Sequence, residues 1–406
     1  MQKTLLDRTM EGMHRSLERL SNGELNCIPY PFARARKDFP GMERAEYIGI
    51  MANTKVGKSQ FTCNLLFSAL MELYWGKAMF DINIIYFALE ETPERIMQRF
   101  MSWLLYEDSD GKIRVSPREL RSTLHPCPQK AMDALEKEDI QDILDFFQQH
   151  IIFPPRSENN PTGIYNWCRA WAEARGKRVE KEYEEVPGIV KKSFDHYEPD
   201  NPNEFNIIVI DTINLVEPER GMDDKAVMRK LSEYCAKYLR NDYYFTILTI
   251  QQQSFSSYSL DAAKQKRFEP TLGDAGNSKE IQRDMDAIIA LYKPYDFDKE
   301  CPYCGYDISK LGKRGVFAKY LFNRNGEGGG ITPLFFDGAT SHFWELPRPK
   351  DTGAITAVYN YCEQMLLPHT DEELAQLNPF LKKKEPKEEK KDTITFLNLI
   401  PFFKHK

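Results

Sequence analysis

Largely apolar blocks punctuate the chain at 47–51, 82–89, 205–210, 243–250 and 287–292, and polar residues follow each one. Such runs predict buried strands, because a strand covered on both faces needs no polar alternation. Between the blocks the period becomes helical. Phe61, Leu65, Leu66 and Leu70 share a face, as do Met97, Phe100, Met101, Leu104 and Leu105, then Leu135, Ile140, Ile143, Leu144, Phe146 and Phe147. Pro161-Thr162-Gly163 opens a helix carrying Ile164, Trp167, Trp171 and Ala172, and 226–239 is amphipathic through Val227, Leu231, Cys235 and Leu239. A short strand is expected at 151–153. This alternation predicts an α/β fold with a mainly parallel sheet flanked by helices. Strands at 316–322 and 331–336, paired around residues 323–330, and a last strand at 342–346 add a C-terminal β-hairpin region.

The flanks read differently. Residues 4–20 place Leu5, Leu6, Met10, Met13, Leu17 and Leu20 near one helical face, stopped by Asn22-Gly23. That helix, within residues 1–26, either packs on its own domain or docks on a neighbouring subunit. Residues 27–350 form the main domain, with 175–204 a charge-rich surface insertion or mobile excursion of little periodicity. A helical segment, 351–380, precedes Leu-Lys-Lys-Lys-Glu-Pro-Lys-Glu-Glu-Lys-Lys at 381–391, which predicts a disordered linker. The apolar run at 394–403, with Phe396, Leu399, Phe402 and Phe403, then reads as a docking peptide; folding back onto an ATPase domain is the competing reading.

Composition changes this picture little. The 406 residues are 41% hydrophobic and 29% charged, the profile of a soluble globular protein. No apolar run is long enough to span a bilayer, and no signal peptide is expected. The eight cysteines are mostly scattered singly, which fits a reducing, cytoplasmic setting. A net charge of −6 carries no global sign of nucleic-acid binding, although a loop or channel can be basic on an acidic protein.

Candidate chemistry concentrates after the first strand. Ala52-Asn53-Thr54-Lys55-Val56-Gly57-Lys58-Ser59 lies between a strand and a helix, the context a P-loop requires. Loop N–H groups cradle a triphosphate such as ATP, Lys58 reaches the β/γ-phosphates, and the Ser59 hydroxyl ligates Mg²⁺. Ala52 stands where the first Gly is usual. A chance Gly-Lys-Ser in a surface turn is the competing reading. Glu90, at the end of the second strand, is placed to polarise a water; Glu91 reads instead as a helix N-terminal charge. Four apolar residues ending in Asp211 make a Walker B pattern, whose carboxylate holds Mg²⁺. Gln251, first of three Gln after the fourth strand, is placed to contact the γ-phosphate, or simply caps the strand. Lys264, Lys266 and Arg267, near Tyr258 and Phe268, suit a DNA phosphate backbone with stacked bases; a solvated loop is the blander reading. Cys301 and Cys304 make half a zinc knuckle with no second pair, so a thiol-bearing turn is the default and Zn²⁺ the alternative. Arg324, at a hairpin tip, is a solvated turn residue or a finger reaching a neighbour's nucleotide.

The order of these parts resembles the RecA-like ATPase domain of DnaB-like replicative DNA helicases, from about Cys27 to Leu346. Ala88-Leu89-Glu90 matches the segment that carries the family's catalytic glutamate, and Asp211 matches its Walker B aspartate. The strand-end Gln is matched best by Gln251, with Gln252 a second fit. Residues 273–286 carry Asp274, Ser278, Ile281, Asp284 and Asp286, and Arg324-Asn325-Gly326 matches the arginine-finger hairpin. The chain departs at Ala52, at Phe322 where Lys is usual, at Gly276 where Arg is usual, and in the 175–204 insertion, which suggests a divergent phage or mobile-element version acting in the host cytoplasm. The resemblance implies a ring, six subunits by analogy, with ATP between one P-loop and the next subunit's Arg324. It also implies 5′→3′ movement on single-stranded DNA, and a primase, loader or sliding clamp as a partner for the C-terminal peptide. A RecA-type recombinase or mediator, and a non-translocating regulatory or packaging ATPase, are the alternative functions.

Overall fold

The computed structural model describes residues 4–37, 39–76, 80–186, 188–253, 269–274, 279–300, 302–324, 326 and 328–381. Lys264, Lys266, Arg267, Cys301, Phe396, Leu399, Phe402 and Phe403 lie outside the described residues. Strands are β1 (Ile28–Pro29), β2 (Gly41–Met42), β3 (Tyr47–Ala52), β4 (Asp81–Ala88), β5 (Ile151–Ile152), β6 (Gly176–Val186), β7 (Ile189–Pro199), β8 (Glu204–Asp211), β9 (Thr246–Gln252), β10 (Ala287–Tyr292), β11 (Gly315–Asn323), β12 (Ile331–Asp337) and β13 (His342–Glu345). The longer helices are α1 (Leu5–Ser21), α2 (Lys58–Tyr74), α3 (Pro93–Asp108), α4 (Glu138–His150), α5 (Pro161–Glu173), α6 (Asp224–Glu233) and α7 (Thr352–Gln364).

Nine strands form one sheet in the order β13-β12-β11-β10-β3-β9-β8-β4-β5. From β10 to β5 all neighbours are parallel, and β11, β12 and β13 extend the sheet as antiparallel edge strands. The mainly parallel α/β fold expected from the apolar blocks is the fold found, and the C-terminal hairpin joins the same sheet. Alternate residues of each strand serve opposite cores. Ile207 and Val209 face Phe61, Leu66, Phe100 and Phe147 of α2, α3 and α4, whereas Ile208 and Ile210 face Ile164, Cys168, Val227 and Leu231 of α5 and α6. A third cluster joins α7 to the antiparallel edge through Val358, Tyr361, Phe317 and Phe335.

The flanking segments have regular structure. The 175–204 segment, expected as a surface insertion or mobile excursion of little periodicity, holds an antiparallel ribbon, β6 against β7, anchored where the Tyr197 hydroxyl donates to Ala172 O at 2.8 Å. Its alternation was masked because charged residues occupy both faces of a largely exposed ribbon. Helix α1 begins with a Thr4/Asp7 capping box yet buries no residue. Its polar side chains touch its own domain: Arg8 pairs with Asp195 at 3.2 Å, and Arg19 lies 4.8 Å from the Phe80 ring. The apolar face stays open, with Leu5 at 73% and Leu17 at 61% exposure.

Candidate functional site

Because β10, β3, β9, β8 and β4 are parallel, their C-terminal ends meet at one edge of the sheet. Residues 52–59, 89–91, 211–212, 251–253 and Lys293 therefore converge, although more than two hundred residues separate the first from the last. Crevices outside the carboxyl ends of parallel strands are where open α/β sheets bind ligands.

The loop after β3 shows why Ala52 is tolerated. Ala52 is the last strand residue, opposite Leu291 and Gln252, with ordinary strand geometry. The left-handed positions come later, at Lys55 (φ 66°) and Gly57 (φ 105°). A β-carbon on Gly57 would also meet the Phe336 ring at 3.0 Å, so glycine is required there on two counts. Helix α2 starts at Lys58, so its first-turn N–H groups, which have no partner within the helix, open onto the loop. Lys58 Nζ folds back to within 3.4 Å of both Ala52 O and Asn53 O. Burial lowers its pKa, while Glu90 and Asp211 nearby act in the opposite sense.

The Ser59 hydroxyl donates to Asp211 Oδ1 at 3.1 Å, and the Tyr86 hydroxyl donates to Asp211 Oδ2 at 2.7 Å. Burial raises the Asp211 pKa, and these two donors pull it back. Glu90 is exposed, and among the described residues its carboxylate makes no hydrogen bond or ion pair; its backbone N–H donates to Asp211 O at 3.0 Å. Glu91 is instead paired with Arg99 at 2.5 Å.

The glutamines alternate as a strand dictates. Gln251 is buried, and the side chain that touches the loop belongs to Gln252, whose Nε2 donates to Thr54 Oγ1 at 2.7 Å. Of the two glutamines matched to the family's strand-end position, Gln251 is thus buried and Gln252 reaches Thr54. Among the described residues, two buried polar atoms beside the loop, Asn53 Oδ1 and Gln253 Nε2, have no hydrogen-bond partner. Unmet polar groups, open helix amides, a lysine and paired hydroxyl and carboxylate oxygens fit a Mg²⁺-bound nucleotide.

Arg324 lies elsewhere. Strand β11 runs antiparallel to β10, so Asn323 pairs with Ala287 at the start of β10, level with Ile48 at the start of β3. Arg324 is thus at the opposite edge of the sheet, a strand length of roughly 15 Å from its own loop. There it pairs with Asp286 at 3.2 Å, which also binds Arg240 at 2.8 Å and accepts from Tyr47 N at 2.9 Å. The exposed cations Arg220 and Lys225 sit on the segment after β8 and at the start of α6. Cys304 is exposed, and among the described residues no group of three His, Cys, Asp or Glu is placed to hold a metal ion. No helix among them is long and apolar enough to cross a membrane.

Sequence reading missed the cavity beside the loop. It has a volume of about 920 Å³ and is lined by Lys293, Phe336 and Tyr359 among others. Lys293 Nζ lies 3.4 Å from Lys55 O and 5.6 Å from the Phe336 ring, which joins the cavity to the loop. A buried lysine directly after an apolar strand was the available signal. Tyr86 gave none, since it sits inside an apolar strand.

Two solved structures share this architecture. The ATPase domain of G40P aligns over 85% of this chain and 100% of its own, with a TM-score of 0.59 and 16% identity. A DnaB-like replicative helicase, described together with its interactions with primase, aligns over 84% of this chain and 67% of its own, with a TM-score of 0.57 and 16% identity. The chain has the fold of a DnaB-like helicase ATPase domain. No family model matches it, and no curated protein matches it in sequence.

Proposed function

We propose that the chain is an ATP-dependent, ring-forming replicative DNA helicase that moves on single-stranded DNA and unwinds duplex. The observation that carries this reading is the division of parts between the two sheet edges. Lys58, Ser59, Glu90 and Asp211 converge at one edge, and Arg324 stands at the other. An arginine so placed reaches a γ-phosphate only when that phosphate belongs to another subunit. The open apolar face of α1 supports the same assembly, since a neighbouring subunit is the surface that would cover it.

In this reading Asn53–Ser59 and the first turn of α2 bind the triphosphate, and Lys58 holds the β- and γ-phosphates. Ser59 and Asp211 hold Mg²⁺, which draws charge from the phosphates when bound. Glu90, unpaired and exposed, accepts the proton of the attacking water. Gln252 links the γ-phosphate side of the loop to the segment after β9, and Arg324 of the adjacent subunit stabilises the charge that develops. Lys264, Lys266 and Arg267, with Arg220 and Lys225, grip the DNA backbone. A hexamer, 5′→3′ polarity and docking of a primase, loader or clamp through 394–403 complete the proposal; the helicase neighbour described with primase supports that partner class. The test is ATP turnover with and without single-stranded DNA. Stimulation by DNA that is lost in Lys58→Ala supports the reading, and turnover indifferent to DNA refutes it.

A further inference from the structure

A second groove lies at the sheet edge opposite the phosphate loop, where the ends of α2 and α3 meet the start of β4 and residues 23–31. Its volume is about 420 Å³, in the range of small-ligand sites. The floor is apolar, with Ile28, Phe80 and Trp103 buried. Trp75, which follows α2, stands beside that floor at 53% exposure. An open tryptophan next to an apolar floor is the kind of anchor that protein interfaces use. Three carboxylates surround it: Glu24, Glu72, and Glu107, which lies 3.0 Å from His342 Nε2. Arg36, whose Nε donates to Tyr30 O at 2.6 Å, is the one lysine or arginine lining the groove among the described residues.

A segment of matching chemistry is within reach. Asn378 Nδ2 donates to the Tyr106 hydroxyl at 2.6 Å, and Leu381, the last described residue, lies against Gly111 beside Tyr106. Trp103, Tyr106 and Glu107 share one face of α3 and span only about 6 Å of helix rise. The chain therefore passes residue 381 about one helical turn from the groove. Residues 382–393 extend to about 40 Å at most, so 394–403 reaches the groove with slack. That stretch, Ile-Thr-Phe-Leu-Asn-Leu-Ile-Pro-Phe-Phe, is framed by Lys390 and Lys391 on one side and Lys404 and Lys406 on the other. An apolar run framed by lysines complements an apolar floor ringed by carboxylates, in charge as well as in hydrophobicity.

We infer that the groove between Trp75 and Trp103 is the docking site of residues 394–403 of the same chain, with the flanking lysines facing Glu24, Glu72 and Glu107. A partner protein that takes this segment must then draw it out of the groove, so groove and partner compete for it. Docking here is independent of the nucleotide chemistry at the other edge. The test is photo-crosslinking of the full chain, with p-benzoylphenylalanine placed at Phe402 or, separately, at Trp75. Mass spectrometry of monomer-sized adducts should join position 402 to residues 23–31, 68–75 or 103–107, and position 75 to residues 394–403. Glu24→Lys with Glu72→Lys should cut the adduct yield about fivefold, the weight of two exposed ion pairs. Adding Lys404→Glu and Lys406→Glu to that chain should restore the yield, which a merely misfolded groove would not allow. Adducts that run as linked dimers would seat a second copy in the groove and overturn docking within one chain. Adducts confined to other surfaces, no adduct from either probe, or a yield unmoved by the charge reversal would overturn the inference, and each would leave the nucleotide-site reading standing.

Discussion

Tyr86→Phe removes one oxygen and should disable the candidate metal site without disturbing the core. The Tyr86 ring is 1% exposed and packs between β4 and the helices over it, so Phe fills the same volume. Burial holds the phenol pKa well above its usual value, so the group is a permanent donor to Asp211 Oδ2 at 2.7 Å. Removing it leaves Ser59 as the remaining side-chain donor to that carboxylate. A hydrogen bond to a charged group contributes about 1.5–3 kcal/mol net, and loss of such support typically weakens metal affinity about 10- to 100-fold. The Asp211 pKa, already raised by burial, should rise further, because a donor that lowers it is gone. The assay is ATPase rate titrated with Mg²⁺ at pH 6 and pH 8. Half-saturation should move upward by about tenfold or more, with kcat recovered at high Mg²⁺, and the shift should be larger at pH 6. An unchanged Mg²⁺ half-saturation, with stability lost, would reduce Tyr86 to a packing residue and refute the reasoning.

Three further outcomes follow from the geometry. Glu46, buried and raised from 4.5 to about 7 chiefly by desolvation, prefers to be protonated in the folded chain. Its folded pKa lies above its unfolded one, so stability is full below pH 4.5 and falls as pH rises through about 7, by about 3 kcal/mol; Glu46→Gln should flatten that dependence in urea melts at pH 5 and pH 8, and equal slopes would contradict it. Glu90→Gln should still bind ATP yet lose roughly two or more decades of kcat, and wild-type turnover would remove Glu90 from the chemistry. Arg324→Ala should hydrolyse poorly, and mixing it with Lys58→Ala should restore partial activity, because each composite site draws on two subunits; absence of any rescue at all mixing ratios would argue for a site complete within one chain.

How much was legible in the sequence depended on the physics of each segment. The five central strands were visible because burial on both faces leaves an apolar run, and their carboxyl-end residues Asp211, Glu90 and Gln251 stood out as polar groups closing those runs. Strand face was not visible in Gln251-Gln252-Gln253, since identical residues carry no alternation, and the contact of Gln252 with Thr54 depends on the pairing of β9 with β3. The ribbon 176–199 was hidden because it is largely wet and needs no apolar face. Tyr86 and Phe336 looked like core, and they are core, yet one hydroxyl and one ring edge also shape the site. Their second role depends on contacts with residues more than a hundred positions away, which no local pattern encodes.

The division of parts between sheet edges is tested most directly by unwinding. A forked duplex with a labelled strand should be separated by the wild-type chain with Mg²⁺ and ATP, faster with a 5′ tail than with a 3′ tail, and not at all by Arg324→Ala at concentrations where it still binds nucleotide. Unwinding by Arg324→Ala at the wild-type rate, or no strand separation by a wild-type chain that hydrolyses ATP on single-stranded DNA, would contradict the account.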